Sequence, residues 1–210
     1  MPLQNRVTPF GEVVALPGRG LIMGNRGVLH DDRRRIVRAW QVRRWIACVL
    51  EFGGRRRAVM TPRRYTELFF LDEAAALSAG HRPCAECRRQ DYRRFQLFWR
   101  ACYGGAAAAD EMDAQLHADR LAGKKKRTYR AALASMPDGA FVALDGAACL
   151  VLGRHLYAWS DSGYAQRRLR PARCEVDVLT PRAVVGILTA GYRAGVHPSA
   201  TGAGPTVARR

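Results

Sequence analysis

The chain has 210 residues, of which 48% are hydrophobic and 25% are charged, ordinary values that argue against wholesale disorder. Its 35 basic side chains outnumber 18 acidic ones and give a formal net charge of +17, which favours polyanions, above all nucleic acid, as partners. No apolar run approaches the roughly 18 residues of a membrane span and no signal-peptide pattern opens the sequence. We therefore expect a cytoplasmic protein without a membrane partner.

The first third of the chain is predicted to be rich in β-strands. Short extended runs bounded by glycine and proline lie at residues 13–16, 21–23, 45–52, 55–60 and 66–71. Gly53-Gly54 separates two of these runs in the manner of a tight turn. The sequence therefore predicts a hairpin over residues 45–60 that carries Cys48.

Three helices are predicted in the middle of the chain. Asp72 is a typical N-cap for a short helix over residues 73–79 that ends at Gly80. Aromatic side chains at helical spacing predict a second helix over residues 85–103, and apolar spacing predicts a third over residues 110–121. We expect a helical continuation from the lysine run to residue 136.

The last part of the chain is predicted to form a β meander and a closing helix. The strands lie at residues 141–144, 148–152, 155–159 and 175–179, and the helix at residues 182–190. The small, basic tail over residues 198–210 is predicted to be disordered.

These elements predict an α+β fold. We divide it into a zinc-stabilised module with its following helix (1–105), a helical segment with a β-rich part (106–197) and the tail (198–210).

Cys84 and Cys87 form a C-x2-C pair at the start of a predicted helix. Two thiolates at this spacing can turn toward one metal ion, and a helix N-terminus favours their charged forms. A redox pair is the main alternative, but it usually follows a strand in a thioredoxin-like pattern, which this sequence lacks. The spacing therefore favours a metal site with Cys84 and Cys87 as two ligands.

The residues around this pair resemble a known zinc-binding family. Residues 69–87 read FFLDEAAALSAGHRPCAEC, which is similar to the second half of the zinc-binding domain of the Ada DNA-repair protein. The resemblance implies tetrahedral zinc held by four side chains and a role at DNA. The upstream half departs from the family, because a single cysteine, Cys48, stands where the family has a C-x3-C pair. We expect Cys48 as the third ligand and His30, which precedes the hairpin as the first family ligand does, as the fourth.

Asp113 and His117 lie four residues apart on one face of the third predicted helix. Such a pair can orient an imidazole for acid-base chemistry or supply two metal ligands. A solvated ion pair on a helix surface is the alternative. Asp113 and His117 are therefore the candidate catalytic residues if the protein is an enzyme.

Basic residues near the cysteines and in the lysine run predict where phosphates bind, namely Arg88, Arg89, Arg93, Arg94, Lys124, Lys125 and Lys126. The function expected is zinc-stabilised nucleic-acid binding, with DNA as the expected partner and a link to repair or processing. The alternative is a hydrolase acting on nucleic acid or nucleobases. It would be a deaminase, since Pro83-Cys84 to Cys87 resembles the deaminase zinc motif, or a nuclease using Asp113 and His117.

Overall fold

The structure, a computed structural model, describes residues 1–54 and 58–202. The fold is α+β, as the sequence predicts, with two six-stranded sheets and a small two-stranded one. No described helix has the length and apolar character that a membrane crossing requires.

The first sheet belongs to the N-terminal part of the chain. Its strands are β1 (Gln4–Val7), β2 (Val13–Ala15), β3 (Ile22–Asn25), β4 (Ile46–Cys48), β5 (Leu68–Phe70) and β6 (Arg82–Pro83), in the spatial order β2-β1-β5-β3-β4-β6. β4 pairs antiparallel with β3 on one side and parallel with β6 on the other. This arrangement brings the end of β4 beside the chain that leaves β6.

A short helix, α1 (Glu73–Ser78), connects β5 to β6. Its N-cap is Asp72, whose carboxylate accepts a hydrogen bond from the backbone N–H of Ala75 at 2.8 Å. Gly80 follows the helix with φ +91°, and a Cβ atom there would lie 2.5 Å from the Cδ atom of Arg120. Both its backbone conformation and its neighbour therefore require glycine.

The longer helices pack against one another and against Leu77 of α1. They are α2 (Arg89–Tyr103), α3 (Ala109–Arg120) and α4 (Arg182–Thr189). Phe95 and Trp99 are the buried residues of α2, and they meet Met112 and Leu116 of α3. The aromatic spacing that predicts this helix therefore marks its core face.

The second sheet follows α3. After the hairpin of β7 (Leu121–Ala122) and β8 (Lys125–Lys126), its strands are β9 (Tyr129–Ala132), β10 (Phe141–Leu144), β11 (Ala147–Leu152), β12 (His155–Ser160), β13 (Gly163–Leu169) and β14 (Glu175–Val178). β10 to β13 form an antiparallel meander, and β14 pairs with β10 and β9.

Two buried carboxylates at the start of α1 link this helix to the C-terminal part of the chain. Asp72 accepts hydrogen bonds from the Tyr164 hydroxyl at 2.6 Å and from a C-terminal backbone N–H. Glu73 accepts from the Tyr192 hydroxyl and from Arg88, each at 2.8 Å. The C-terminal part thus holds the start of α1, which leads the chain toward Cys84.

Four local predictions are corrected by the structure. The described residues of 45–60 do not form the predicted hairpin, because β4 pairs with β3 and β6 and residues 58–60 form no strand; residues 55–57 lie outside the described residues. The helical continuation to residue 136 is wrong, because this segment forms β8 and β9 and a short 3-10 turn. α2 begins at Arg89 rather than at residue 85.

The fourth correction concerns the tail. Pro198–Ala200 forms a 3-10 turn in which Ala200 is buried, and the Ser199 hydroxyl accepts a hydrogen bond from the backbone of Tyr164. Residues 203–210 of the predicted disordered tail lie outside the described residues.

Candidate metal centre and basic pocket

Three cysteine thiols converge where β4 meets the chain leaving β6. The backbone N–H of Cys84 donates to the carbonyl of Ala47 at 2.9 Å, which sets Cys84 beside Cys48. The chain then turns and brings Cys87 close to Cys84; in this turn the N–H of Arg88 donates to the Cys84 carbonyl at 3.2 Å. The sulfur atoms of Cys48, Cys84 and Cys87 all lie within 4.8 Å of one another.

The pKa values of the three thiols differ, and they determine which sulfur carries negative charge. The hydrogen bond from Cys48, together with the backbone N–H groups of Cys87 and Glu86, lowers the pKa of Cys84 to about 5. The same sulfur contact and burial raise the pKa of Cys48 strongly, and burial raises that of Cys87. One thiolate is therefore stable in the cluster, and a bound cation is required for all three to ionise.

The cluster fits a metal ion that prefers sulfur ligands. Tetrahedral zinc with Zn–S bonds of about 2.3 Å places its sulfur ligands roughly 3.8 Å apart, which the limit of 4.8 Å accommodates. Cys48 and Cys84 are buried and Cys87 is half-buried. Among the described residues, no fourth histidine, cysteine or carboxylate belongs to this group.

His30 is not brought to this cluster, contrary to the prediction. Its Nδ1 atom lies 2.6 Å from the hydroxyl of Thr66, and its Nε2 atom lies 3.2 Å from the carbonyl of Thr61. The backbone of His30 forms an isolated bridge with Ile36. Because both ring nitrogens have these partners, His30 holds the loop before β4 and is not the fourth ligand of the three thiols.

A large pocket lies next to the first sheet and the β7–β8 hairpin, with a volume of about 690 Å³. Apolar surface comes from Phe10, Ile36 and Trp40, and the described lining includes one carboxylate, that of Glu12. Its basic residues are Arg26, Arg38, Arg120, Lys124, Lys125 and Lys126.

Arg26 has its guanidinium buried at this pocket without a carboxylate partner among the described residues. Its Nη1 atom donates to the carbonyl of Gly11 at 3.0 Å, and its Nε atom lies 3.3 Å from Nε2 of His81. Its Nη2 atom is buried and has no hydrogen-bond partner among the described residues. A buried cation with a free donor is unusual in a folded protein.

Arg120 repeats this pattern, and the half-buried Lys126 adds a third cation. Arg120 donates to the carbonyl of Gly80 at 2.8 Å and lies 3.0 Å from Nδ1 of His117, while its Nε atom is buried and unpaired within the described chain. The ammonium of Lys126 donates to the carbonyl of Ser78 at 2.6 Å. In the described part of the chain, neither residue forms an ion pair with a carboxylate.

Burial and neighbouring positive charges lower the pKa values of the basic groups at this pocket. Burial lowers the pKa of Arg26 to about 9; burial, then Arg26, lowers that of Arg120 to about 9. Burial lowers the pKa of Lys126 to about 7, and both arginines contribute to this shift. Burial and the same three cations hold the pKa of His81 well below its ordinary value. The pocket is therefore a concentrated positive site, and no carboxylate of the described chain forms an ion pair with its three inner cations.

Comparison with models of known protein families, with curated proteins and with solved structures finds no match to this chain. The interpretation of both sites therefore rests on their geometry and chemistry.

The candidate catalytic pair is not assembled. Both carboxylate oxygens of Asp113 accept hydrogen bonds from Arg82, at 2.9 and 2.8 Å, and both side chains are buried. His117 instead packs edge-on against Trp40, with ring centroids 4.6 Å apart, and beside Arg120. Burial, followed by the charges of Arg120 and Arg43, lowers the pKa of His117. Asp113 thus serves an internal ion pair and does not orient His117.

The predicted phosphate-binding residues form two groups, one on α2 and one at the pocket, and Arg88 belongs to neither. Arg88 is buried and ion-paired with Glu73 and Asp91, so its assignment to the nucleic-acid surface is wrong. Arg89, Arg93 and Arg94 are exposed on α2, although Arg94 lies 3.3 Å from Asp91. Lys124, Lys125 and Lys126 line the pocket.

The sequence interpretation missed Arg26, Trp45 and Arg120. The guanidinium carbon of Arg26 lies 4.1 Å from the centroid of the Trp45 ring, and the guanidinium carbon of Arg120 lies 3.9 Å from it. These residues are distant in sequence, so no local spacing pattern joins them. The available signal was the alternation of arginine and tryptophan over residues 38–45, which is typical of nucleic-acid contacts.

Proposed function

We propose that this protein is a zinc-stabilised nucleic-acid-binding protein whose binding centre is the basic pocket. The observation that carries this proposal is the group of three cations, Arg26, Arg120 and Lys126, at one pocket without an ion-paired carboxylate among the described residues. Buried charge without a partner costs several kcal/mol. A polyanion supplies the missing charge, and the net charge of +17 attracts one.

The three thiols support the zinc assignment. Sulfur ligands select zinc, copper(I) or iron–sulfur clusters over magnesium and calcium. Cys48, Cys84 and Cys87 come from two separated segments joined through the β4–β6 pairing. A metal here would tie β4 to the start of α2 and so stabilise the N-terminal half. The Ada-like spacing around Cys84 supports the same proposal.

Two basic surfaces are available to the nucleic acid. The pocket surface carries the exposed residues Arg38, Lys124 and Lys125, and the helix surface carries Arg89 and Arg93 with Arg94. We assign the main contact to the pocket surface, because its outer charges adjoin the unpaired inner cations. Arg94 of the helix surface already contacts Asp91.

The test compares two variants with equal loss of charge. The pocket variant replaces Arg38, Lys124 and Lys125 by glutamine, and the helix variant replaces Arg89, Arg93 and Arg94 by glutamine. Fluorescence anisotropy with single-stranded DNA, duplex DNA and RNA gives Kd as a function of salt concentration.

The proposal predicts a Kd that rises steeply with salt for the unmodified protein. Each lost phosphate contact reduces the slope of log K against log salt by about 0.7 to 0.9. The slope of the pocket variant should therefore be smaller by about two, and its affinity should be lower by tenfold or more. The helix variant should change much less. No binding to any nucleic acid at low salt, or a salt-independent Kd, would refute the proposal.

A metal-dependent hydrolase is a second candidate, favoured by one observation. Three thiols group together without a fourth described ligand, and catalytic zinc sites have three protein ligands and an open position. Metal-edge absorption on the zinc-loaded protein distinguishes the two. Three sulfur neighbours and one oxygen, with turnover of nucleic acid or nucleobase that Cys87→Ser abolishes, would favour the hydrolase. A fourth sulfur or nitrogen neighbour without turnover would favour a structural site.

A further inference from the structure

The cations of the pocket differ in kind from the other buried charges of the molecule. Arg82 and Arg88 are buried too, but each has carboxylate partners at 2.8 to 2.9 Å. Arg26 and Arg120 have only neutral hydrogen-bond partners among the described residues. Each has a buried nitrogen without any partner, as Nη1 of Arg88 also does, so the missing carboxylate is what sets the pocket arginines apart. An internal structural role would be served by a carboxylate, as in the first two residues, so the pocket is built for an anion from outside.

We propose that this pocket binds the terminal nucleotide of a nucleic-acid strand by its phosphomonoester, with Arg26, Arg120 and Lys126 around the phosphate. The inference rests on the proposed function and specifies which part of the nucleic acid enters the pocket. A free mononucleotide has the same chemistry, because it too is a nucleotide with a terminal phosphate.

The charge of the pocket favours a terminal phosphate over an internal one. A phosphomonoester carries about −1.5 to −2 charge near neutral pH and three acceptor oxygens, whereas an internal diester carries a single charge and two free oxygens. Nη2 of Arg26 and Nε of Arg120 are buried donors without a partner among the described residues, on two side chains that line the pocket, and Lys126 adds a half-buried ammonium that also donates to Ser78. Three cationic donor groups match three oxygens, because charge-assisted hydrogen bonds to phosphate are the strong ones.

The apolar part of the pocket suits the rest of a nucleotide. Its volume of about 690 Å³ lies within the roughly 300–1,000 Å³ of small-ligand sites. Trp40 lines the pocket, is half-buried and has His117 at one edge of its ring. Stacking of a base on an aromatic ring is worth about 1–3 kcal/mol and tolerates any base. Trp45 is not available for stacking, since two guanidinium groups lie over its ring.

The outer residues favour the end of a strand as the source. Arg38, Lys124 and Lys125 are exposed at the pocket, where the next phosphates of a strand would pass. Glu12, the one carboxylate of the described lining, is exposed too. A free nucleotide has no further phosphodiesters for these outer cations to contact.

The test measures Kd for one short single-stranded oligonucleotide with a 5′-phosphate, with a 3′-phosphate or with two hydroxyl ends, and for the free mononucleotide. Lys126→Met is the pocket variant, and Arg93→Met on α2 is the matched control that removes one charge elsewhere. A second measurement, independent of any variant, is the thermal midpoint of the unmodified protein in inorganic phosphate and in chloride at equal ionic strength.

We expect one phosphorylated end to bind at least tenfold tighter than the hydroxyl ends. This advantage should fall below about threefold in Lys126→Met and persist in Arg93→Met, and phosphate should raise the thermal midpoint more than chloride does. Equal affinity for all three ends, or an advantage that survives Lys126→Met, would overturn the inference.

The two proposals fail differently. Binding to every oligonucleotide regardless of its end would leave nucleic-acid binding intact and overturn the terminal-nucleotide inference. Binding of the mononucleotide without any oligonucleotide would confirm the phosphate chemistry of the pocket and refute nucleic-acid binding.

Discussion

Replacement of Lys126 by methionine should stabilise the protein in the absence of ligand. The ammonium of Lys126 lies near two guanidinium groups, and burial together with Arg26 and Arg120 lowers its pKa from 10.5 to about 7. The folded state therefore penalises the charged lysine, whereas the unfolded chain does not. Methionine keeps the length of the side chain and removes the charge.

The magnitude follows from the pKa difference. Each pKa unit corresponds to about 1.4 kcal/mol, so the displacement corresponds to on the order of 5 kcal/mol. Solvent access at the pocket reduces this to roughly 2–3 kcal/mol, and the lost hydrogen bond to Ser78 costs about 1 kcal/mol. We expect Lys126→Met to gain about 1–2 kcal/mol of unfolding free energy at pH 6.

The pH dependence gives the sign of the effect. Below pH 7 lysine is charged in both states and the penalty is complete; between about pH 7 and 10.5 the unfolded state binds more protons, so stability rises with pH. The neighbouring titratable groups are Arg26, Arg120, His81 and Glu12. The gain in Lys126→Met should therefore be smaller at pH 9 than at pH 6.

Urea unfolding followed by circular dichroism at both pH values measures this gain. Lys124→Met is the control, since Lys124 is exposed on the same hairpin and should change stability by less than about 0.5 kcal/mol. A destabilised Lys126→Met, or a gain equal at both pH values, would refute the reasoning that the pocket holds unneutralised charge.

Three other predictions concern the rest of the structure. Asp113→Asn should lower the unfolding free energy by about 3 kcal/mol, because it leaves buried Arg82 without its counter-charge; a loss under 1 kcal/mol in urea unfolding would contradict a buried ion pair. Tyr164→Phe should cost about 1–3 kcal/mol by removing a hydrogen bond to buried Asp72, and an unchanged urea midpoint would count against that contact. Cys87→Ser, or a chelator, should remove one equivalent of zinc and lower the thermal midpoint by about 10 °C or more; an unchanged midpoint with metal lost would contradict a stabilising role.

The sequence predicts those elements that local chemistry determines. The N-cap Asp72 and the terminating Gly80 define α1, and glycine turns define the meander from β10 to β12. The same local pattern, C-x2-C before a helix, identifies Cys84 and Cys87. Each of these features depends on neighbours within a few residues, whereas Cys48 is expected as a ligand only from the resemblance to the Ada zinc-binding domain.

Features that depend on distant pairing escape such reasoning. The segment after the lysine run is rich in alanine and arginine, which favours helix, yet Tyr129–Ala132 becomes β9 because it pairs with β14. The pocket joins Arg26, Trp45 and Arg120, which have no common spacing. His30 was assigned by its position relative to a predicted hairpin, and without that hairpin its loop carries it to Thr66 instead.

The most direct test of the central claim is a crystal structure with a phosphorylated oligonucleotide bound. Our account predicts the terminal phosphate within about 3.2 Å of the Lys126 ammonium, in the pocket lined by Arg26 and Arg120, with a base on Trp40. An oligonucleotide bound along Arg89 and Arg93 of α2, with no nucleotide in the pocket, would contradict it.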